Sequence, residues 1–130
     1  MLESLADKLN SASVAFTAST LFIGLMPDSP DVCVALYEYS GLPPMEVFVD
    51  NAETIEMPSV QVMVRAGRND YPTGKALTAS VRNVLTGITD ETISGVRFLR
   101  VNSISAINYL NNDDNDRPRF TLSLQVFMER

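Results

Sequence analysis

Two prolines in one short segment constrain this fold more than any other feature of the sequence. They lie in residues 26–31, MPDSPD, between an apolar run at residues 21–26 and a second one at residues 32–39. Because a proline fixes φ and donates no backbone hydrogen bond, residues 26–31 are predicted to form a stiff turn. The β-branched and aromatic residues at 32–39, VCVALYEY, predict a strand that is buried on both faces.

Alternation of residue types predicts three more strands. Val60, Val62 and Val64 recur at every second position, and so do the apolar residues from Phe120 to Met128. This period of two is typical of a strand with one apolar face. A third strand is predicted at residues 96–107, and the polar run at residues 111–116, NNDDND, is predicted to be the tip of the terminal hairpin.

Two amphipathic helices are predicted, at residues 2–16 and at residues 74–85. Each places its apolar residues at helical spacing, with polar residues between them. Thr73 is expected to cap the second helix, and Gly87 is expected to end it in a left-handed conformation.

The order of these elements favours the α+β class. We expect a mainly antiparallel sheet of four to five strands, with the two helices packed on one face. Residues 40–57 would then be a long connection that contains a short edge strand at residues 45–49. A chain of 130 residues, 45% of them hydrophobic, suits a single domain that spans residues 1–130.

The sequence lacks the patterns of common catalytic and ligand-binding sites. It has no histidine, and its single cysteine, Cys33, lies in an apolar strand where a thiol behaves as a small hydrophobe. The glycines at 67 and 74, before Lys75, have the wrong spacing for a phosphate-binding loop, and residues 111–116 lack the glycine and glutamate of a calcium loop. We therefore expect no enzyme activity, no cofactor and no metal site.

Membrane insertion and secretion are not indicated by the sequence. The longest uninterrupted apolar run has six residues, whereas about 20 are needed to span a bilayer. The N-terminus has neither the basic region nor the apolar core of a signal peptide, so we expect synthesis in the cytoplasm.

Charge is distributed unevenly along the chain. Residues 1–56 contain nine acids and one base, whereas residues 57–130 contain nine bases and seven acids, and the net charge is −6. One interpretation is scatter over a solvated surface. The other is a subunit whose acidic side meets the basic side of a neighbour, a head-to-tail contact that can close into a ring. Within the acidic half, Asp28 and Asp31 are expected to accept backbone hydrogen bonds in their own turn.

The segment with two prolines also resembles a family motif. In residues 21–44 an apolar run ends in Gly-x-x-Pro-Asp-Ser-Pro-Asp and is followed by an apolar strand and a Gly-x-x-Pro bend. These features are similar to those of the tail terminators of long-tailed bacteriophages. So are the strand at residues 58–65, the Asp70-Tyr71 pair and the final strand. Proteins of that family are often labelled minor capsid or tail completion proteins. The resemblance covers most of residues 20–130.

The resemblance implies a structural virion protein at the head-proximal end of the tail. Such subunits assemble as a ring, expected here to be a hexamer, which caps the finished tail tube, stops its polymerisation and provides the surface for head–tail joining. The partners would be copies of the chain, the tail tube protein and head–tail connector proteins, with DNA passing through the ring without sequence-specific contacts and no membrane partner. Two alternatives stay open: a neck, connector or head-completion protein, and a small ligand-binding domain or enzyme of the host.

Seven side chains in two loops are candidates for interface contacts. Those in the strand-to-helix loop are expected to contact a neighbouring subunit or the tube, and those near the hairpin tip to form a second contact element. The seven are Arg65, Arg68, Asp70, Tyr71, Asp113, Asp114 and Arg117. DNA contacts through arginines are an alternative, although Arg97 and Arg100 are expected to point to opposite faces of their strand.

Overall fold

The computed structural model describes residues 1–12, 21–46 and 54–129, which form two helices and seven strands. The order is α1 (Leu2–Ser11), β1 (Leu21–Ile23), β2 (Cys33–Glu46), β3 (Thr54–Arg65), α2 (Tyr71–Thr86), β4 (Thr89–Ile93), β5 (Val96–Ser103), β6 (Asn108–Asn112) and β7 (Pro118–Glu129). The predicted α+β class is confirmed.

The strands form one curled, mixed sheet, which is larger than the four to five mainly antiparallel strands expected from the sequence. Its order is β1-β2-β3-β7-β5-β4, with β6 also paired to β7. Each described pair is antiparallel except β1 with β2, where Leu21 to Ile23 run parallel to Val34 to Leu36. The expected strand number was wrong because β1, β4 and β6 are too short to show a clear alternation.

The core lies between the two helices and one face of this sheet. Leu5 and Leu9 of α1 and Val81 and Leu85 of α2 are fully buried, as is Ile88 just after α2. They share one cluster with alternate residues of the central strands, namely Val34, Leu36, Val60, Val62, Val64, Phe120, Leu122, Leu124 and Val126. Burying each of these side chains contributes roughly 1.5–3 kcal/mol to the free energy of unfolding. The alternation in β3 and β7 therefore favours the register that turns their apolar residues towards this face.

Pro58 interrupts the pairing of β3 with β7, because a proline cannot donate to the ladder. The side chain of Gln125 compensates. Its Nε2 donates to the carbonyl oxygens of Met57 at 2.7 Å and Pro58 at 3.1 Å, and its Oε1 accepts from Ser59 Oγ at 3.4 Å. A buried glutamine on β7 therefore supplies a side-chain donor for the carbonyl groups of Met57 and Pro58, where the ladder between β3 and β7 is interrupted.

The hairpin of β2 and β3 extends beyond the strands that we predicted. Residues 40–57 are not a long connection: β2 continues to Glu46 and β3 starts at Thr54, while residues 47–49 of the expected edge strand lie outside the described part of the chain. Two register shifts, between Tyr39 and Leu42 and between Leu42 and Met45, mark bulges, which bend a strand. Gly41 permits this bend, since a Cβ there would lie 2.7 Å from Pro58 Cα.

The helix ends differ from those expected. Helix α1 ends at Ser11, and residues 13–16 of the predicted helix lie outside the described residues. Helix α2 begins at Tyr71 after Asp70 rather than after Thr73, with Pro72 in its first turn, where the missing N–H costs nothing. Gly87 is right-handed, with φ −77°, so the left-handed ending was wrong. Neither described helix is long and apolar enough to cross a membrane.

The strand predicted at residues 96–107 ends earlier, at Ser103 of β5, and a further strand that was not predicted, β6, follows at Asn108–Asn112. Strands β5 and β6 pair with successive parts of β7. A bulge between Phe98 and Arg100 turns both Phe98 and Val101 into the core. The strict alternation expected for Arg97 and Arg100 therefore fails across this bulge. The polar hairpin tip predicted at residues 111–116 is confirmed in its place between β6 and β7, but the turn falls at residues 113–117, and Asn111 and Asn112 belong to β6.

Gly74 lets α2 approach the sheet closely. A Cβ at this position would lie 2.6 Å from Phe120 Cε2 and 2.8 Å from Ala66 Cβ. We expect Gly74→Ala to lower the free energy of unfolding by about 1–3 kcal/mol through overpacking, despite the better helix propensity of alanine. Urea unfolding of the purified variant measures this loss.

The matched control is Gly67→Ala, where the nearest atom to an added Cβ is Val32 Cγ2 at 3.9 Å. This variant should be neutral or gain up to about 1 kcal/mol, because alanine restricts the unfolded chain. Equal stability of the two variants would contradict the packing role of Gly74.

Candidate interaction site

Residues 24–32 form a corner that returns the chain from the end of β1 to the start of the parallel strand β2. The return begins at Gly24, whose φ is +72° and whose N–H donates to Leu36 O at 2.8 Å. The corner contains a cis peptide bond between Ser29 and Pro30. Its carbonyl groups have no strand partner among the described residues, so other donors have to satisfy them.

Arg65, the last residue of β3, supplies the first set of donors. It pairs with Cys33 at the start of β2, which places its guanidinium beneath the corner, and it is only 4% exposed. Its Nε donates to Asp31 O at 2.9 Å, and its NH2 group donates to Pro30 O at 2.6 Å and Asp28 O at 3.2 Å. Three backbone carbonyls of the corner are therefore bound by one side chain.

Arg117, just before β7, holds the same corner from the other side. It is also 4% exposed. Its NH1 group donates to Asp28 O at 2.6 Å and to Asp31 Oδ1 at 3.1 Å, and its NH2 group donates to Asp28 Oδ1 at 2.7 Å. The aspartates of the corner thus pair with a distant arginine, whereas the sequence had suggested hydrogen bonds to their own turn.

Asp113 completes the arrangement at the hairpin tip. Its carboxylate accepts from Arg117 Nε at 2.8 Å and from the backbone N–H groups of Asn115 at 2.9 Å and Arg117 at 3.0 Å. Burial alone would raise the pKa of Asp113, but these hydrogen bonds and the positive charge outweigh it and lower the pKa. The pKa of Arg117 is raised, chiefly by its hydrogen bond to Asp28.

The strand-to-helix loop joins this cluster. Asn69 N donates to Asp116 O at 2.9 Å, and Arg68 NH2 lies 3.6 Å from Asp116 Oδ2. The Arg68 side chain is 71% exposed, so this ion pair contributes little to stability. The corner, the loop and the hairpin tip line a pocket of about 390 Å³ formed by Asp28, Ser29, Asp31, Arg68, Asn115 and Arg117. We call this combined area the corner surface.

Tyr71 lies at the start of α2, in an aromatic cluster beside the corner surface. Its ring centroid is 5.2 Å from that of Tyr109 and 5.1 Å from that of Phe120, both in edge-on geometry. Tyr71 and Tyr109 are each 42% exposed, whereas Phe120 is buried. The two tyrosine rings therefore pack on Phe120 and remain partly in contact with solvent.

The seven sequence-predicted residues therefore converge on one region but differ in role. Arg65, Arg117 and Asp113 are enclosed by contacts within the chain. Arg68 and Tyr71 are exposed, Asp70 is the residue before α2, and Asp114 is exposed at the hairpin tip. Their contacts with other proteins stay a prediction.

The described residues show little chemistry beyond these ion pairs. Burial raises the pKa of the Cys33 thiol, and the neighbouring Arg65 only partly opposes this. Within the described residues, no group of three or more cysteine, aspartate or glutamate side chains is arranged to hold a metal ion.

Sequence reasoning missed a second pocket, of about 570 Å³, where α2 meets the outer part of the sheet. It is lined by Arg82, Thr86, Thr89, Arg100, Val101, Asn102 and Ser103. It was missed because β4 was not predicted. The Ser94-Gly95 pair was the available signal: both residues have positive φ in the two-residue turn that joins β4 to β5.

Removing the Arg117 guanidinium should destabilise the protein through the corner. We expect Arg117→Met to lower the free energy of unfolding by roughly 2–3 kcal/mol, because three carboxylates and a carbonyl lose their charged donor. Urea unfolding measures the loss. The exposed Arg68→Met is the control and should change stability by less than about 0.5 kcal/mol; similar losses in both variants would show that Arg117 has no special role.

The Asp113 carboxylate should make part of the stability dependent on pH. Because its pKa is lowered from the ordinary 3.8, its ionised form stabilises the fold above that pH, and this contribution is lost as the pH falls through the lowered value. Asp113→Asn should cost about 1–3 kcal/mol at neutral pH.

The difference between wild type and Asp113→Asn should shrink as urea titrations are repeated at successively lower pH below the ordinary 3.8, because the ionised carboxylate stabilises the fold progressively less there. The neighbouring Asp114→Asn, which removes an exposed carboxylate, is the control and should show no such trend. A difference that stays constant with pH would refute the assignment.

Comparisons with known proteins agree with the resemblance seen in the sequence. The chain is similar in fold to a chain of the solved structure titled "Virion of native gene transfer agent (GTA) particle", with a TM-score of 0.66 and 18% identity over 100% of this chain and 95% of that one. The comparison with curated proteins gives no match. The family model described as "Bacteriophage tail terminator protein" matches residues 8–130. Because this match extends over nearly the whole sequence, the chain belongs to the bacteriophage tail terminator protein family.

Proposed function

We propose that this protein is a structural virion component that caps the completed tail tube, ends its polymerisation and provides the surface for head–tail joining. The match of residues 8–130 to the tail terminator family is the observation that carries this proposal. The related fold in a gene transfer agent virion supports a place in a virion particle. On this proposal the protein is made in the host cytoplasm and resides at the head-proximal end of the tail.

The proposed assembly is a ring, with six copies expected. A ring gives each copy two neighbours and leaves two other surfaces, one for the tail tube protein and one for head–tail connector proteins. DNA would pass through the ring without its sequence being read, and no catalytic step is required. Head-to-tail contacts between identical subunits close into rings when the rotation between neighbours permits it.

The corner surface suits recognition of the tube or of a neighbour. Its backbone is held by two buried guanidiniums, so little conformational entropy remains to be lost on docking. In this proposal Arg65, Asp113 and Arg117 hold the shape of the surface, and Arg68, Asp70, Tyr71 and Asp114 make the contacts. Tyrosine and arginine are the residue types that contribute most at protein interfaces.

Tail length tests the proposed function directly. Electron microscopy of particles assembled without this protein should show tails longer than normal, because nothing stops the tube, and these tails should fail to join heads. Supplying the wild-type protein should restore both length and joining. Tails of normal length that do not join heads would instead indicate a neck, connector or head-completion protein.

A further inference from the structure

Both ends of the sheet have a step where an inner strand continues beyond its outer neighbour. At one end, β1 pairs only with Val34 to Leu36, so the outer edge of β2 from residue 37 onward has no described strand beside it. At the other end, β4 pairs with β5 no further than Thr89 with Arg100, which leaves the edge of residues 101–103 open. Open strand edges readily pair with another chain.

The step at β2, which we call the acidic step, also exposes apolar groups. Tyr39 is 41% exposed and Leu42 is 56% exposed. They line a shallow pocket of about 210 Å³ with Glu38, Gly41, Glu56, Met57 and Pro58. Glu38 is exposed and makes no ion pair with any residue in the described ranges.

The step at β5, which we call the basic step, has the opposite charge. It is the pocket lined by Arg82, Thr86, Thr89, Arg100 and residues 101–103. Arg100 Nε donates only to the amide oxygen of Asn102, at 2.7 Å, and the Arg82 guanidinium has no hydrogen-bond partner among the described residues. The nearby Arg97, by contrast, is paired with Asp90 and Glu129, each at 2.9 Å.

We propose that the acidic step of one copy docks into the basic step of the next, so that the two open edges form one continuous sheet across the contact. The occupant of each step is a second copy of this chain, because the two steps lie at opposite ends of the same sheet and the carboxylate of Glu38 in one is complementary in charge to Arg82 and Arg100 in the other. Such a contact joins different surfaces of identical subunits and propagates head to tail. The inference rests on the proposed ring and identifies the surfaces that build it.

Disulfide trapping tests this contact. The variant Leu42→Cys/Ser103→Cys places one thiol in each step at an exposed position, while the native Cys33 is fully buried. In oxidised, assembled tails this double variant should give a ladder of covalent multimers that ends at the ring size on a non-reducing gel. Each single variant should stay monomeric, because a head-to-tail contact never brings two copies of the same step together.

Charge exchange provides a second, independent measurement. Glu38→Arg alone, and Arg82→Glu/Arg100→Glu alone, should each reduce incorporation into tails at least about tenfold through like-charge contacts. The three substitutions combined should restore most of it. Lys75→Glu is the control, since Lys75 is an exposed cation of α2 outside the basic step, and it should leave incorporation unchanged.

The outcomes separate this inference from the proposed function. Two results would overturn the docking of the two steps and leave tail termination intact. One is that tails with the double-cysteine variant have normal length but give no ladder, and the other is that either single variant gives dimers. Tails that reach normal length without the protein would remove the proposed function. If the proposed function fails in this way, the purified double variant tests the docking at high concentration. A ladder of covalent multimers would support the docking of the two steps, and no ladder would overturn it.

Discussion

The binding of the corner by two buried guanidiniums is the interaction on which the rest of this structure depends. A parallel pair at the sheet edge requires the chain to return to its starting end, and such a return leaves carbonyl groups without ladder partners. Arg65 and Arg117 bind the carbonyls of Asp28, Pro30 and Asp31, so β1 can lie beside β2 without a crossover helix. Without these donors the corner would carry unsatisfied polar groups, each costing about 1–3 kcal/mol.

This internal pairing changes the meaning of the charge distribution. The acidic N-terminal half suggested an acidic face, yet Asp28 and Asp31 are paired with Arg117, and Lys8 binds Glu91 on β4 at 2.8 Å. Two of the nine acids of residues 1–56 are thus paired with an arginine of the other half of the chain. Among the described residues, the charged side chains without an ion pair include Glu38 at one end of the sheet and Arg82 and Arg100 at the other.

The sequence predicted the parts of the fold whose pattern is local. Strands β3 and β7 alternate over many residues, α2 has regular apolar spacing, and the prolines indicated a stiff turn, so these elements were predicted. The partners of that turn were not predictable, because Arg117 lies 89 residues from Asp28 and no pattern within either segment links them. The continuation of β2 past Gly41 was missed for another reason: glycine and proline normally end strands, and the close approach of Gly41 to Pro58, which explains the glycine, is visible only in the structure.

The corner surface and the sheet edges meet different requirements of an assembling subunit. Buried arginines whose donors are already occupied cannot form new strong contacts without breaking old ones, so Arg65 and Arg117 fix a shape rather than bind a partner. An open strand edge is the reverse: its backbone groups are satisfied only by water until another strand arrives. In the proposed ring, a subunit that joins its neighbours through sheet edges therefore keeps a preformed surface for a different partner. The contacts between neighbouring copies and the contacts with the tail tube could then be strengthened independently.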